Sequence, residues 1–404
     1  MRDGVHTLGT RRAERRTRFL VTGATGFLGS HLFIALCERG HRVTLLCRPG
    51  KHAPVRDRVN EILAWFGKTP ACYPHLAVVE GRIEVPRFGL PDAAYRRLAA
   101  GTDEIIHCAG STDFSRRNHP ATSATNIGAL GNVLDLAAAG RCVFFHHIST
   151  AYAAGASPGP CREQLVDTAT FCNAYEETKN GAEHLASGFC AARGIRLSIY
   201  RPSIVYGDSR TGRSRKFNAL YFPVKTIIFL RDVLAGDIRD NGGARARAMG
   251  VRVAADGRVH LPIRLPVRPG GTINLIPVDF FTAAVMALVE EDLAGGIHHI
   301  VNHRPNTLDD LVEYTNRFAG IAGPTVANER ALAAGGRNPL EQLFESYIAM
   351  YLPYLSDLRR FSTEHTAAIL DKRSVACPAF TYEVFRRCIE YALAVDWGKN
   401  LTAA

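Results

Sequence analysis

A short apolar run, Phe19-Leu20-Val21-Thr22, passes directly into glycines at 23, 26 and 29, and no other stretch restricts the fold as tightly. A buried strand that turns at once into a helix needs glycine where the backbone reverses, where its amides approach a pyrophosphate, and where the helix packs on the sheet. The spacing is Gly-x-x-Gly-x-x-Gly instead of the commoner Gly-x-Gly-x-x-Gly. Gly23, Thr25, Gly26, Phe27, Leu28 and Gly29 therefore form a candidate dinucleotide-binding turn.

Strands and helices alternate through the first half, as a parallel sheet requires. Strands are expected at 18–21, 42–46, 76–79, 104–107, 142–148 and 197–201, with a first helix at 28–39 closed by Gly40. After Gly207 the pattern breaks into an Arg-, Gly- and Pro-rich region reaching about Gly271, with a hairpin at 251–265, which reads as a lid over substrate. Alternation resumes at 273–278, followed by a helix at 279–291 and a strand near 298–302; amphipathic helices at 307–318 and 382–395 mark a helical tail. The fold class is α/β: a doubly wound parallel Rossmann sheet with a smaller, mainly helical substrate region. Residues 1–17 read as a disordered basic lead, 18–208 as the nucleotide-binding domain to which 272–302 returns, and 209–271 with 303–404 as lid and C-terminal helical region.

Composition narrows the class. The 404 residues, 47% hydrophobic, suffice for one large domain or two smaller ones. The Arg-rich lead has no apolar stretch, so neither a secretory signal nor a membrane span is expected there. Ten cysteines show no Cys-x-x-Cys pair and no regular spacing with histidine, which favours reduced thiols in a cytoplasmic setting and no metal ligand set. The net charge of +11 concentrates in Arg11, Arg12, Arg15, Arg16 and Arg18 and in Arg245, Arg247, Arg252, Arg258, Arg264 and Arg268. Neither group is interleaved with aromatics, so no nucleic-acid partner is expected. The second group suits a solvated face or attraction of a polyanionic substrate such as coenzyme A or an acidic carrier protein.

A second constellation supplies chemistry. Tyr175 and Lys179 are four apart on a predicted helix, 174–193, and share a face. A nearby ammonium lowers the pKa of a phenol that otherwise titrates near pH ~10. Thr150, after Ser149 at the end of the fifth strand, lies at the carboxyl edge where such sheets bind ligands, with its hydroxyl available to a substrate oxygen. The second strand ends Leu46-Cys47-Arg48 without a carboxylate, so Arg48 favours the 2'-phosphate of NADPH over NADH. Cys108 reads as a small packing residue.

With these residues in place the chain resembles the extended short-chain dehydrogenase/reductase superfamily over about residues 18–302. Thr22 to Gly29 is similar to its glycine turn, His107-Cys108-Ala109-Gly110 to its fourth-strand motif, and Tyr175 with Lys179 to its active pair. Thr150 matches the family's active hydroxyl and Asn126 its helix asparagine. The stretches His107–Phe114, Asn173–Lys179, Arg201–Gly212 and Asn274–Asp279 resemble the fatty acyl-CoA reductase and thioester reductase branch. Gly81-Arg82-Ile83 departs from that pattern, which has aspartate at the second position. The resemblance implies Thr150, Tyr175, Lys179 and Asn126 as catalytic residues. It implies cofactor contacts from the glycine turn, Arg48, Ala109, Gly110, Tyr175, Lys179, Pro202, Ser203 and Ile204. The implied reaction is NADPH-dependent reduction of an acyl-CoA or acyl-carrier thioester to aldehyde or alcohol. The same core also serves nucleotide-sugar epimerases, dehydratases and free-carbonyl dehydrogenases. A non-enzymatic NADPH sensor would have no need of the Thr150, Tyr175, Lys179 set.

Overall fold

The computed structural model describes residues 16–50, 53–167, 170–329, 332 and 335–401. Of the basic lead expected at 1–17, residues 1–15, including Arg11, Arg12 and Arg15, lie outside the described residues. The chain divides into two compact units, the first running to Ser203 and adding Val278–Val301 and Phe361–Cys377. The second comprises Ile204–Pro277, Asn302–Arg360 and the residues from Pro378.

The first unit is built on seven strands: β1 (Arg18–Thr22), β2 (Arg42–Cys47), β3 (Leu76–Glu80), β4 (Glu104–His107), β5 (Phe144–Ile148), β6 (Arg196–Pro202) and β7 (Gly296–Ile300). They lie in the order β3-β2-β1-β4-β5-β6-β7, every neighbouring pair parallel. Winding reverses between β1 and β4, the place where open α/β sheets take their ligands. Central strands covered on both faces must be apolar on both, and Leu20, Val21, Ile105, Ile106, Phe144 and Phe145 are all fully buried. Helices α1 (Phe27–Glu38), α2 (Val55–Trp65), α3 (Asp92–Ala100), α4 (Ala129–Ala139), α5 (Ala174–Arg193), α6 (Val278–Glu291) and α7 (Glu364–Leu370) belong to this unit. Small residues let α5 approach the core, where Ala182 and Ala186 join Leu130, Val133 and Leu134 of α4.

The second unit has its own core, in which Tyr221, Ile227, Leu234, Phe344 and Phe385 are buried together. Its helix Tyr221–Asp240 occupies a region the sequence suggests is irregular. Pro223 is tolerated because first-turn amides have no partner within the helix. The hairpin is shorter than expected: Arg252–Val253 pairs antiparallel with Val259–His260, whereas Arg264–Val267 pairs parallel with Thr325–Asn328. Leu275–Pro277 pairs with Ile204–Tyr206 and does not extend the central sheet. The tail likewise departs from an all-helical reading, since it contributes the strands Ile321–Ala322 and Thr325–Asn328.

One polar contact runs through the core of the first unit. Arg201 on β6 and Glu183 on α5 are both fully inaccessible, and Arg201 Nε donates to Glu183 Oε1 at 2.9 Å. The Ser149 hydroxyl beyond β5 donates to the same oxygen, and Arg201 Nη1 lies 3.3 Å from His299 Nε2 on β7. Removing one partner of such a pair strands the other charge without solvent. Glu183→Gln is therefore expected to destabilise the protein by about 3–5 kcal/mol, read from chemical denaturation. A loss below about 1 kcal/mol would show that the pair is not what joins these elements.

Candidate active site

The glycine turn has the crowding a dinucleotide cradle requires. Gly23 has φ +69°, and a Cβ there would lie 2.5 Å from Ala109 N; one at Gly29 would lie 2.2 Å from Gly23 O. Gly26 caps α1 without any side-chain hydrogen bond, and no acidic residue stands in the first turn. The amides that begin this helix, from Phe27 and Leu28 onward, are thus left for an anion. Thr25, beside them, is half-buried. Ala109 N donates to Thr22 Oγ1 at 3.4 Å, which ties the loop after β4 to the turn. At the end of β6, Ser203 Oγ is buried with no partner among the described residues. An orphaned hydroxyl and a turn with no room for side chains both fit a bound dinucleotide. Ile204 opens the second unit, where its amide donates to Asn274 O at 3.2 Å.

Tyr175 and Lys179 both lie in the first two turns of α5, whose N-cap Asn173 accepts from Glu176 N. Tyr175 is half-buried as a residue, its hydroxyl is hydrogen-bonded to Thr150, and its ring stacks on Phe114 at 5.6 Å. Thr150 lies two residues beyond β5 and caps the turn Ala151–Ala154, accepting from Tyr152 N at 3.4 Å and donating to Pro202 O at 3.5 Å. Ser149 is committed to Glu183, so of the two adjacent hydroxyls only that of Thr150 meets the phenol. Burial pushes the Tyr175 phenol up to about 12, opposed by the Thr150 hydrogen bond. Lys179, expected to lower the phenol, is not among the groups that shift it, and Tyr175 stands above its ordinary value instead of below. Lys179 donates from Nζ to Ile148 O at 2.7 Å, and burial lowers its pKa to about 8. Phe114 was legible only as part of a motif, with no signal that its ring would cover Tyr175.

Asn126 sits in a π-helical turn, Ala124–Gly128, and is buried. Its Oδ1 accepts from Ser111 N at 2.7 Å, while Nδ2 donates to Ser111 O at 3.1 Å and Thr178 Oγ1 at 3.0 Å. It fastens the loop after β4 to α5. A Cβ on Gly110 would lie 3.1 Å from Asn126 Oδ1 and 3.4 Å from Lys179 Nζ, so all three meet at one point. Beneath them, His107 and His147 are buried with stacked rings 5.6 Å apart. Burial first, and then the Lys179 charge, holds His107 down to about 3, so it is neutral at physiological pH.

Arg48 is exposed after β2. The structure adds Arg58 on α2, whose Nη1 donates to Arg48 O at 3.0 Å and Nη2 to Thr25 Oγ1 at 3.3 Å. That guanidinium bridges the end of β2 and the glycine turn. Ten residues separate it from Arg48 across a Pro- and Gly-containing loop, so the sequence carries no sign of the approach.

A family model described as male sterility protein matches residues 21–285. The L-2-aminoadipate reductase large subunit of Eremothecium gossypii is 29% identical over 304 residues, covering 70% of this chain and 19% of that protein. The chain spans between 5% and 19% of the length of several curated relatives it matches. Among solved structures, the terminal R domain from the myxalamid PKS-NRPS pathway superposes with a TM-score of 0.71 at 22% identity, covering 94% of this chain and 91% of that one. A thiolation-reductase di-domain from an archaeal non-ribosomal peptide synthetase gives 0.69 at 17% identity, covering 95% and 76%. At these identities the structural likeness concerns the fold.

Gly29→Ala tests the cradle directly. Its methyl would meet the Gly23 carbonyl at 2.2 Å, so helix and turn must separate. The expected outcome is a loss of NADPH and NADH affinity of roughly 100-fold, by fluorescence titration, with an unchanged far-ultraviolet circular dichroism spectrum. Native affinity in the variant would place the dinucleotide elsewhere.

Proposed function

The chain belongs to the male sterility protein family, NAD(P)-dependent oxidoreductases of the extended short-chain dehydrogenase/reductase type, and we propose that it reduces an acyl thioester with NADPH. The observation that carries this reading is the Tyr175 phenol, held up to about 12 by burial and bonded to the Thr150 hydroxyl. A phenol protonated throughout the physiological range carries the proton that reduction of a carbonyl requires. The carrier-bound or coenzyme A-bound substrate is supported by the motifs at His107–Phe114 and Arg201–Gly212. A reductase relative and the likeness to a reductase fused to a thiolation domain support it further.

When bound, the reduced nicotinamide supplies hydride. The residues that would hold the dinucleotide are Gly23, Thr25, Gly26, Phe27, Leu28 and Gly29 at the pyrophosphate, Arg48 and Arg58 at the 2'-phosphate, and Ala109, Gly110, Tyr175, Lys179, Pro202, Ser203 and Ile204 toward the nicotinamide end. As negative charge builds on the thioester oxygen, the Thr150 and Tyr175 hydroxyls hold it and Tyr175 gives up its proton. The Lys179 ammonium, fixed on Ile148 O, stabilises the phenolate left behind. Asn126 keeps the β4 loop and α5 in register while this happens. Collapse of the tetrahedral adduct breaks the C–S bond, the adduct hydroxyl's proton passing to sulfur, which releases coenzyme A or the carrier thiol and leaves an aldehyde as product, or an alcohol where a second hydride transfer follows. The second unit, as the substrate-binding part, presents exposed Arg245, Arg247 and Arg252 to a polyanionic carrier. Arg258 and Arg264 are already engaged by Asp256 and Glu341.

In NADPH-oxidation assays, acyl-CoA or acyl-carrier thioesters are expected to turn over in preference to free carbonyls, and Tyr175→Phe to abolish turnover while leaving NADPH affinity within a few fold. Activity confined to free carbonyls or nucleotide sugars would overturn the thioester reading. The rate should fall as pH rises through about 8, where Lys179 loses its proton, and Lys179→Arg should move that limb upward. A profile indifferent to that replacement would remove Lys179 from the limb.

Arg58→Ala and Arg48→Ala should each weaken NADPH far more than NADH. A charge-assisted bond to phosphate is worth about 1.5–3 kcal/mol, roughly 10- to 150-fold. Equal loss for the two dinucleotides would show that neither guanidinium reads the 2'-phosphate.

A further inference from the structure

At the free edge of the central sheet, three side chains that the reaction does not use converge. Asp292 follows α6, His298 lies on β7 and His365 on α7, and one ligand atom from each falls within 4.8 Å of the others. Asp292 and His298 are buried and His365 is exposed, so the group opens to solvent on a single side.

Hydrogen bonding fixes the protons of this group. Glu163 accepts from His299 N at 2.9 Å and His365 N at 2.8 Å, as an ionised carboxylate does. It also receives the Thr366 hydroxyl proton. The Thr366 oxygen is therefore an acceptor for its other neighbour, His298 Nδ1, at 3.3 Å. With Nδ1 donating to Thr366, His298 directs Nε2 at Asp292 Oδ2, 2.8 Å away. Asp292 is itself an acceptor, since its Oδ1 takes the amides of Ala294 at 3.2 Å and Gly295 at 3.1 Å. A nitrogen and a carboxylate oxygen at that distance share a cation, either a proton or a metal ion, and His365 brings a third ligand atom within 4.8 Å of both.

We propose that Asp292 Oδ2, His298 Nε2 and His365 Nδ1 bind a divalent transition metal of the zinc class, with solvent completing the coordination. Two imidazoles and a carboxylate suit that class of ion. The chain Glu163, Thr366, His298 is the outer-shell arrangement that fixes a ligating histidine's tautomer and raises its basicity. Room is kept for the third ligand as well. A Cβ on Gly296 would lie 2.9 Å from His365 Cε1, 3.3 Å from His365 Nδ1 and 3.8 Å from His298 Nε2, within the space the ion needs. Its role is structural, clipping α7 to β7. The cysteine-based search of the sequence misses it because the ligands are separated by 6 and 67 positions and none is a cysteine.

The test titrates the full chain, free of affinity tag and stripped by chelator, with Co²⁺ and then Zn²⁺. Visible d–d absorption reports coordination, and plasma mass spectrometry reports stoichiometry. The native protein is expected to take up a single equivalent of Co²⁺ that Zn²⁺ displaces, and Zn²⁺ should raise its melting temperature. His365→Ala, at an exposed position that can change without unfolding the chain, should lose the Co²⁺ spectrum. Thr366→Val should weaken uptake about 10- to 100-fold while keeping every ligand. Gly296→Ala, whose Cβ would crowd His365 Nδ1 at 3.3 Å while removing no ligand, should weaken it too. No uptake by the native chain would overturn the proposal and leave a buried imidazolium–carboxylate pair. Equal uptake by the native chain, His365→Ala and Gly296→Ala would overturn it by placing the metal elsewhere.

Discussion

Glu183 lies four residues beyond Lys179 and eight beyond Tyr175 on one helix, and its carboxylate is gripped by Arg201 from β6. With Ser149 bonded to the same group, β5, β6 and α5 are held at one point in the dry interior. A charge pair in such a place is costly to bury and repays the cost in specificity only where geometry is tight. Here it sets both the rotation and the height of α5, so the phenol reaches Thr150 and the ammonium reaches the Ile148 carbonyl. It also separates two neighbouring hydroxyls by function. Ser149 is consumed by the scaffold, which leaves Thr150 to the site.

Electrostatics then divides the labour between Tyr175 and Lys179 differently from a simple charge-tuned phenol. Burial dominates both groups, raising the tyrosine to about 12 and lowering the lysine to about 8, so their values move apart. The phenol therefore holds its proton firmly and the ammonium only narrowly at neutral pH, so the proton Tyr175 gives up goes to the substrate oxygen and not to Lys179. The neutral, buried His107 below them adds no charge, which keeps the site's cationic character on a single side chain.

Local, strongly patterned features were legible in the sequence. The glycine turn announced itself because only glycine fits where a Cβ would strike Ala109 or Gly23, and α5 runs over the predicted 174–193 because Asn173 caps it and Gly194 ends it in a left-handed conformation. Tyr175, Lys179 and Thr150 followed from the helix period and the strand end. What stayed hidden depends on contacts between distant positions. Arg58 reaches Thr25 from 33 residues away, Phe114 covers Tyr175 from another loop, and Glu341 both caps its own helix and holds Arg264. The helix Tyr221–Asp240 was missed because Pro and Gly in and around it resemble loop punctuation, although Pro223 sits in the first turn, where a helix tolerates it. The segment Phe361–Cys377, grouped by sequence with the tail, clusters with the first unit, a placement no local pattern encodes.

The strand order has a bearing on how the protein is made. β6 is complete at Pro202, but its outer neighbour β7 begins only at Gly296, after a stretch that belongs to another unit. During translation, at about 5–20 residues per second, the emerging sheet therefore spends several seconds with the backbone amides and carbonyls of β6 unpaired along one side. An open, apolar strand edge recruits other strands, including those of neighbouring nascent chains. Arg196, at the start of that strand, places a charge there in the meantime, in the manner of residues that guard exposed edges. Expression at lower temperature, or with holdase chaperones in excess, acts on this interval and leaves the finished fold untouched.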